Sequence, residues 1–275
     1  MCRAANPDAS LILLHIPKTA GTTLAIILIG KYGQEATRAV TGGYAGREAF
    51  PNEPEAARAS PRLFIGHQAF GLHEHIPRPC EYVTVLRDPV ARIVSHYHHV
   101  LNEETHYLHK RVVDRGLTLE QYAENPFKSH ELDNGQSRML ASYALNRSQR
   151  IGQSQRSLIP SAMENLERSF CCVVTTERFD ETMVLLSDSL HWNRVPAYLP
   201  ARVSQSKPRE PIPQEIADKI REINALDVEL YGWVSKRLDE HIRSLGQAFQ
   251  NRVQDARAEN ARTSEQLRTQ KAAKA

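Results

Sequence analysis

Two short segments of this chain place lysine, arginine and hydroxyl side chains where a predicted strand ends. The first, residues 15–23, reads HIPKTAGTT, and it follows an apolar run and precedes a helical pattern. Backbone N–H groups at a helix start are unpaired, and the helix dipole favours an anion there. Lys18 adds a positive charge, and Thr22 and Thr23 add hydroxyl groups. We interpret the segment as an anion site, with a capped turn and an exposed lysine as the alternative.

The residue order in this segment differs from the phosphate-binding loop of common nucleotide kinases. That loop, G-x-x-x-x-G-K-[ST], has its lysine after the second glycine, whereas Lys18 precedes Gly21. A kinase also needs an acidic residue after a strand to hold magnesium, and here Leu86 is followed first by Arg87 and then by Asp88. A P-loop-like small-molecule kinase that uses ATP is therefore a weaker alternative.

The second segment, residues 85–97, reads VLRDPVARIVSHY and again follows an apolar run. Ligands of open α/β sheets bind at such strand ends. The guanidinium of Arg87 could grip a phosphate, and the hydroxyl of Ser95, two helical turns on, could reach the same anion. Alone, Arg87 and Asp88 would be expected to pair with each other or to cap the helix. Together, the two segments predict a nucleotide with two phosphate clusters.

The elements that must position these segments alternate between strands and helices. Apolar runs at residues 10–16, 62–66, 81–86 and 170–176 predict four strands. Their alternation with helical patterns predicts an α/β fold, a P-loop-like three-layer α/β/α arrangement with a mostly parallel central sheet. Residues 34–61 are expected to form loops, and residues 213–245 one or two helices that dock on the core.

Composition limits the class of protein. The chain has 275 residues, 41% of them hydrophobic, and a formal net charge of only +3, which favours one core and argues against general nucleic-acid binding. We predict a domain over residues 1–245 and a charged helical or disordered tail over residues 246–275. The sequence has no apolar run near the length of a membrane span, and its four cysteines show neither metal spacing nor the density of a disulfide scaffold. A reducing, cytoplasmic location is the expectation.

The two phosphate-binding segments resemble those of a known family. PKTAGTT followed by RDPVARIVSHY resembles the two signatures with which the sulfotransferase superfamily binds its donor PAPS, particularly in the branch related to heparan sulfate 2-O-sulfotransferases. The resemblance implies that the first loop holds the 5′-phosphosulfate and that Arg87 and Ser95 hold the 3′-phosphate. The first-loop positions that it selects are Pro17, Lys18, Thr19, Ala20, Gly21, Thr22 and Thr23.

A third segment, residues 64–71 (FIGHQAFG), resembles the family's glycine–histidine segment and selects His67 as the catalytic base. An imidazole can take the proton of a hydroxyl as its oxygen attacks sulfur. Without the resemblance, a hydrogen-bonded structural histidine is the alternative. Relatives of the heparan branch have a second histidine where this chain has Ile65, a departure that concerns the acceptor more than the chemistry. A fainter likeness at residues 204–207 (SQSK), where relatives close a loop over the nucleotide, adds Ser206 and Lys207 to the expected donor contacts.

Two further groups of polar residues have open interpretations. Asn134, Gln136 and Arg138 open a helical pattern and could contact an anion or the acceptor, or Asn134 could simply cap the helix. A second group falls along one helical face at a spacing compatible with a metal. Its members are His96, His99, Glu103 and His106. The family needs no metal, and we expect none, so a solvated face is the preferred interpretation.

These observations predict sulfonate transfer from PAPS to an acceptor hydroxyl, with PAP as the other product. In an in-line displacement, His67 would accept the proton while Lys18 and the loop amides stabilise charge on the departing phosphate. The family makes a saccharide the first expectation for the acceptor, which residues 34–61 and 102–135 would meet. The remaining alternative is a non-catalytic module that binds sulfated glycans or another partner, with the charged tail as a candidate contact. The sequence does not predict the oligomeric state.

Overall fold

The computed structural model describes residues 2–41, 43–198 and 211–272. Their five strands form one sheet with the order β2-β3-β1-β4-β5. The strands are β1 (Ser10–Leu14), β2 (Thr37–Ala39), β3 (Leu63–Gly66), β4 (Cys80–Leu86) and β5 (Phe170–Thr175). All four pairings are parallel, with Leu11 opposite Leu63 on one side of β1 and Glu81 on the other. The predicted α/β class with a parallel central sheet is confirmed.

The strand order reverses beside β1, because the chain moves from β1 outward to the β2 edge, returns to β3, and then crosses to β4. Crevices outside the carboxyl ends of strands at such a reversal are the usual ligand sites of open α/β sheets. A hydrogen bond of 2.9 Å from the Thr84 hydroxyl to the Leu14 carbonyl adds a side-chain link between β4 and β1 at this end.

Helices cover both faces of the sheet. They are α1 (Gly21–Tyr32), α2 (Gly43–Ala49), α3 (Glu55–Ala59), α4 (Pro89–Asn102), α5 (His109–Val113), α6 (Leu119–Ala123), α7 (Gly135–Leu140), α8 (Tyr143–Ser148), α9 (Leu158–Ser169), α10 (Phe179–Ser189), α11 (Gln214–Ile223), α12 (Ala225–Ser244) and α13 (Gly246–Ala272). Ile12 and Leu14 face a core cluster shared with α7, α9 and α12, whereas Leu11 and Leu13 face another, shared with α1, α10 and α13. Alternating side chains of β1 thus separate the two outer layers of a three-layer fold.

The segment predicted as loops, residues 34–61, contains regular elements as well. It carries the edge strand β2 and the helices α2 and α3, with a 3₁₀ turn at Phe50–Asn52 between them. No sequence pattern indicates β2, because this strand has only three residues, TRA, and none of them is buried. Its hydrogen bonds to β3 come from tertiary pairing and not from an apolar pattern.

The C-terminal segment is helical and partly packed. The predicted helical region 213–245 consists of α11 and α12, and α13 begins at Gly246, where we placed the domain boundary. Phe249 and Val253 are buried in the core cluster on the α10 face. Arg252 donates to Asp188 at 2.9 Å, which ties the same stretch to α10. The first turns of α13 therefore belong to the packed domain.

The N-terminal residues run beside the far edge of the sheet. Cys2 and Cys172 are joined in a disulfide, although 170 residues separate them, and Arg3 donates its N–H to the Cys171 carbonyl at 2.9 Å. The cysteine pattern in the sequence did not indicate this pairing, because only the fold brings the two positions together. Within the described ranges, no helix combines the length and apolar character needed to cross a bilayer. A cytoplasmic location stays a prediction.

Candidate active site

The first loop, residues 15–20, connects β1 to α1 through two left-handed residues. Lys18 has φ 70° and Ala20 has φ 63°, a conformation that costs a non-glycine residue about 1–2 kcal/mol. The Thr19 side chain is buried and donates to the Ile16 carbonyl at 2.9 Å. Strain of this kind concentrates at ligand-binding loops, where the surrounding structure holds it in place.

The start of α1 is suited to an anion. Its N-cap, Ala20, makes no side-chain hydrogen bond to the helix, and its first turn contains no acidic residue. The N–H groups of this turn therefore present their partial positive charge toward the loop. Thr23 is buried, and Thr22 and Lys18 are partly exposed beside it. The predicted anion-binding residues thus lie together at the carboxyl end of β1.

His67 follows β3 and is fixed to the end of β1. Its Nδ1 lies 2.7 Å from the His15 carbonyl oxygen, and the two imidazole rings lie 4.3 Å apart. A carbonyl only accepts, so Nδ1 must carry the proton and donate it. In the neutral ring, Nε2 then keeps a lone pair that can accept a proton. Since His67 is exposed, the arrangement provides an oriented base at the surface of the site.

Gly21 leaves the space that the His15 ring occupies. A Cβ at this position would lie 2.0 Å from Cδ2 of His15 and 2.4 Å from its Nε2. Only glycine therefore fits between α1 and the ring on which His67 packs.

We expect Gly21→Ala to lower the free energy of unfolding by about 1–3 kcal/mol, because the added methyl group overpacks the site. It should also lower turnover by displacing His15 and with it His67. The matched control is Gly30→Ala in the same helix, whose Cβ would meet nothing within 4 Å and which should stabilise by up to about 1 kcal/mol. Thermal unfolding and turnover measured on both variants test this, and equal effects in the two would contradict it.

Arg87 connects the two predicted phosphate segments. Its Nη1 donates to the Lys18 carbonyl at 3.0 Å, so the guanidinium reaches across from β4 to the first loop. Asp88 is the N-cap of α4 and accepts from the Ala91 N–H at 2.9 Å, which is the capping role considered from the sequence. Ser95 lies two turns into α4 and is partly exposed.

A cavity of about 380 Å³ opens beside these loops. Pro17 and His67 form one side of it, and residues 107–131 and α7 supply most of the rest, with Gly43 from the segment before β3. Both segments that we expected to meet an acceptor therefore contribute to its wall. His67 and Pro17 of the first loop border the same space, which is the arrangement that a reaction between two bound molecules requires.

Most of the charged side chains that line the cavity are positive. Four of its side chains are cationic and one is a carboxylate. The cationic residues are Arg92, Arg111, Lys128 and Arg138, and the carboxylate is Glu131. Arg111 and Lys128 are exposed, whereas Arg92 and Arg138 are buried. Among the described residues, Nε and Nη1 of Arg92 have no hydrogen-bond partner. Such buried, unpaired donors beside a cavity favour a ligand with acceptor oxygens.

Glu131 is held by a hydrogen-bond network. His96 Nε2 lies 2.9 Å and the Tyr107 hydroxyl 3.1 Å from its carboxylate. Burial alone would raise the pKa of Glu131, but these hydrogen bonds and the charge of His96 outweigh it and lower the pKa to about 2. Burial, with the charge of Glu131, raises the pKa of Tyr107 to about 12. Glu131 is therefore a fixed anion at the cavity wall, and Tyr107 stays a hydroxyl donor.

The four residues predicted to share one helical face do not all lie on α4, since the helix ends at Asn102 and His106 follows it. Ligand atoms of His96, His106 and Glu131 lie within 4.8 Å of one another. Both ring nitrogens of His96 already have partners, since its Nδ1 lies 2.6 Å from the Tyr122 hydroxyl. Nδ1 of His106 accepts from the Leu108 N–H at 3.2 Å. We assign the cluster to hydrogen bonding within the protein.

The segment 134–138 lies mostly inside the protein. Asn134, Gln136 and Arg138 are 4%, 0% and 1% exposed, and of the three only Arg138 lines the cavity, where it forms a 2.6 Å ion pair with Asp133. Asn134 and Gln136 bond to protein groups described below. A contact of these residues with the acceptor stays a prediction. Ser206 and Lys207 lie outside the described residues.

Sequence reasoning missed Arg92 and Asp227, which form a buried ion pair with a 3.4 Å separation. A signal existed, because each charged residue lies beside apolar residues within a helical pattern. Val90 and Ile93 surround Arg92 in α4, and Leu226 precedes Asp227 in α12. Charged side chains in such positions are almost never buried without a partner.

Comparisons with known proteins agree with this geometry. A family model described as galactose-3-O-sulfotransferase matches residues 1–272. The chain is similar to heparan-sulfate 6-O-sulfotransferase 2 of Danio rerio, with 26% identity over 310 residues that cover 96% of this chain and 63% of the relative. The human heparan-sulfate 6-O-sulfotransferases 2 and 1 are each 24% identical to it over 82% of this chain, and the matches cover 44% and 64% of their lengths. The chain thus spans less than two thirds of these relatives. The predicted resemblance to carbohydrate sulfotransferases is confirmed, while the 2-O and 6-O branches are not separated.

Proposed function

Since this chain belongs to the galactose-3-O-sulfotransferase family, we propose that it transfers a sulfonate group from PAPS to a hydroxyl of a saccharide. The observation that carries the proposal is the position of His67. Its Nδ1 is bound to the end of β1 by a 2.7 Å hydrogen bond, and its ring lines the cavity that begins at the first loop. A base oriented in this way faces both a donor at the loop and an acceptor in the cavity.

The donor is held at the two loops. The N–H groups of the first turn of α1 and the Lys18 ammonium bind the 5′-phosphosulfate, and Arg87 and Ser95 bind the 3′-phosphate. Support comes from the uncapped start of α1 and from the 3.0 Å hydrogen bond that joins Arg87 to the carbonyl of Lys18. That bond brings Arg87 next to the first loop, which supports the binding of one nucleotide by both segments.

The reaction is an in-line displacement at sulfur. The acceptor hydroxyl oxygen forms a bond to sulfur while His67 Nε2 takes its proton. The bond between sulfur and the bridging phosphate oxygen breaks, and that oxygen keeps the electron pair and leaves as part of PAP. Lys18 and the amides at the start of α1 stabilise the charge that collects on the leaving phosphate. No metal takes part in these steps.

The acceptor carries a negative group. Most of the charged side chains that line the cavity are cationic, which supports this. Arg92 supports it too, because its buried Nε and Nη1 have no hydrogen-bond partner among the described residues. A carboxylate or sulfate on a sugar ring would supply oxygens for such donors. The exposed Arg111 and Lys128 would add long-range attraction.

Replacing both Arg111 and Lys128 with Ala is expected to lower kcat/KM for an acidic saccharide about five- to tenfold, because two partly solvated attractions are lost. The difference should shrink as salt is added. A neutral saccharide should react equally well with both proteins. Lys110→Ala, which removes an exposed charge from α5 outside the cavity lining, is the control. A loss of the same size with neutral and acidic acceptors would contradict the acidic-acceptor proposal.

The central test has two parts. Calorimetric titration with PAP in the absence of metal should show micromolar binding by the wild type and weaker binding by Arg87→Ala. Incubation with PAPS and a panel of neutral and acidic saccharides should then give a sulfated product that mass spectrometry identifies. A folded wild type that does not bind PAP, or that turns over ATP with magnesium instead, would overturn the proposed function. Tight PAP binding without transfer to any saccharide would contradict the saccharide acceptor.

A further inference from the structure

Two helix N-termini meet in the interior and cap each other. Asn134 precedes α7, but its Oδ1 accepts from the N–H groups of Leu226 and Asp227 in the first turn of α12, at 2.9 and 3.2 Å. In return, the Asp227 carboxylate accepts from the N–H groups of Gln136 and Ser137 in the first turn of α7, at 3.1 and 2.7 Å. Each helix thus supplies the cap that the other requires.

The cross-capped pair is tied to α4 as well. Nη2 of Arg92 lies 3.4 Å from the Asp227 carboxylate and donates to the Glu131 carbonyl at 2.8 Å. Both ion-pair partners are fully buried. The carboxylate therefore accepts from the first turn of α7 and is paired with a guanidinium. This makes the start of α7 a rigid platform, because moving it would leave several buried groups unpaired.

Gln136 projects from this platform onto Arg87. Its Oε1 accepts from the Arg87 N–H at 2.9 Å, and its Nε2 donates to the Arg87 carbonyl at 2.9 Å. A single buried amide therefore binds both backbone groups of one residue. Rotation of the backbone at Arg87 would break at least one of these bonds. The guanidinium on that backbone reaches Lys18 in the first loop.

We propose that Gln136 is a positioning residue for donor binding, and that Asp227 supports it. Asp227 fixes the first turn of α7, Gln136 fixes the backbone of Arg87, and Arg87 is thereby presented to the 3′-phosphate of the nucleotide. This inference rests on the proposed function, in which Arg87 binds that phosphate. Planar, bidentate recognition of a phosphate depends on orientation, so a loosely held guanidinium would bind it less tightly.

An amide is the side chain that this position requires. A carboxylate could accept from the Arg87 N–H but, when ionised, could not donate to the Arg87 carbonyl. It would also place a negative charge beside the phosphate site. Methionine would fill a similar volume but would leave both backbone groups of Arg87 without their partner.

The test is calorimetric titration of PAP into the wild type, Gln136→Met, Arg87→Ala and the double variant. Gln136→Met is expected to weaken PAP binding about tenfold, because two hydrogen bonds are lost. In the double variant, Gln136→Met should add no further loss, because its effect passes through the missing guanidinium. Asn165→Ala is the matched control, since it removes a 2.8 Å hydrogen bond to the Leu140 carbonyl at the other end of α7. It should lower thermal stability and leave PAP affinity unchanged.

In Gln136→Glu, the dependence of PAP affinity on pH distinguishes a positioning role from a purely structural one. Its PAP affinity should be about tenfold below that of the wild type at neutral pH. The deficit should shrink as pH falls, because a protonated carboxyl regains a donor for the Arg87 carbonyl and loses its charge. This variant also serves if Gln136→Met does not fold.

The outcomes separate the two claims. Wild-type PAP affinity in both Gln136 variants, with weakened binding in Arg87→Ala, would overturn the positioning role and leave the proposed function intact. An additive loss in the double variant would also overturn it, because Gln136 would then act by another route. If the folded wild type did not bind PAP, the proposed function itself would fall.

Discussion

His67→Ala is expected to lower kcat at least about a hundredfold while binding PAP as tightly as the wild type. The ring supplies the only proton acceptor that the proposed reaction uses. Its hydrogen bond to the protein is made to a backbone carbonyl of the first loop. Steady-state kinetics with a saccharide acceptor and calorimetry with PAP measure the two quantities. The expected signature is a loss in kcat without a loss in donor affinity.

Two further variants separate a base from a structural histidine. In His67→Asn, the side-chain amide can still donate to the His15 carbonyl but cannot act as a base, so its kcat should be as low as that of the Ala variant. His109→Ala removes a comparable hydrogen bond, in which Nδ1 lies 2.8 Å from the Val100 carbonyl, and should leave kcat unchanged. Activity restored in the Asn variant would show that His67 acts through its hydrogen bond and not as a base.

Sequence patterns predicted β1 and β5 because both strands are buried on both faces, although β5 lies at an edge of the sheet. Every residue of β1 and β5 is buried, so each appears in the sequence as an uninterrupted apolar run. The edge strand β2 has no such run, because solvent reaches its residues. Its existence depends on pairing with β3, which no local window contains. Burial, and not position within the sheet, therefore decided which strands could be predicted: the buried edge strand β5 was predicted, and the solvent-exposed edge strand β2 was not.

The parts of the candidate site also differ in whether the local sequence predicts them. The first loop is local: a strand, a short turn and a helix start lie within residues 10–23, and the sequence order alone predicts their arrangement. The support of Arg87 is not local. Asn134 was expected either to contact a ligand or to cap the helix that follows it. Its side chain instead caps α12, where it accepts from the N–H of Asp227, a residue 93 positions further along the chain. A propensity for capping predicts that a cap exists, but only the tertiary fold determines which helix receives it.

The strained conformation of Lys18 leads to a second large expected effect. At φ 70°, this residue has a backbone that glycine adopts without penalty and that lysine does not. A residue selected for stability alone would be glycine. The proposed mechanism gives the Lys18 side chain a role that would offset this strain, because its ammonium would stabilise charge on the leaving phosphate.

Lys18→Gly is accordingly expected to lower kcat about a hundredfold, while the free energy of unfolding stays the same or rises by about 1 kcal/mol. Lys18→Ala should lose kcat to the same extent without the gain in stability, because alanine keeps the strain. His191→Gly relieves a similar strain, φ 54°, in the turn after α10, and should leave kcat unchanged. Thermal unfolding and single-turnover kinetics on the three variants measure these effects. A lower free energy of unfolding in Lys18→Gly, together with normal turnover, would contradict this prediction. It would mean that the lysine stabilises the loop and takes no part in the reaction.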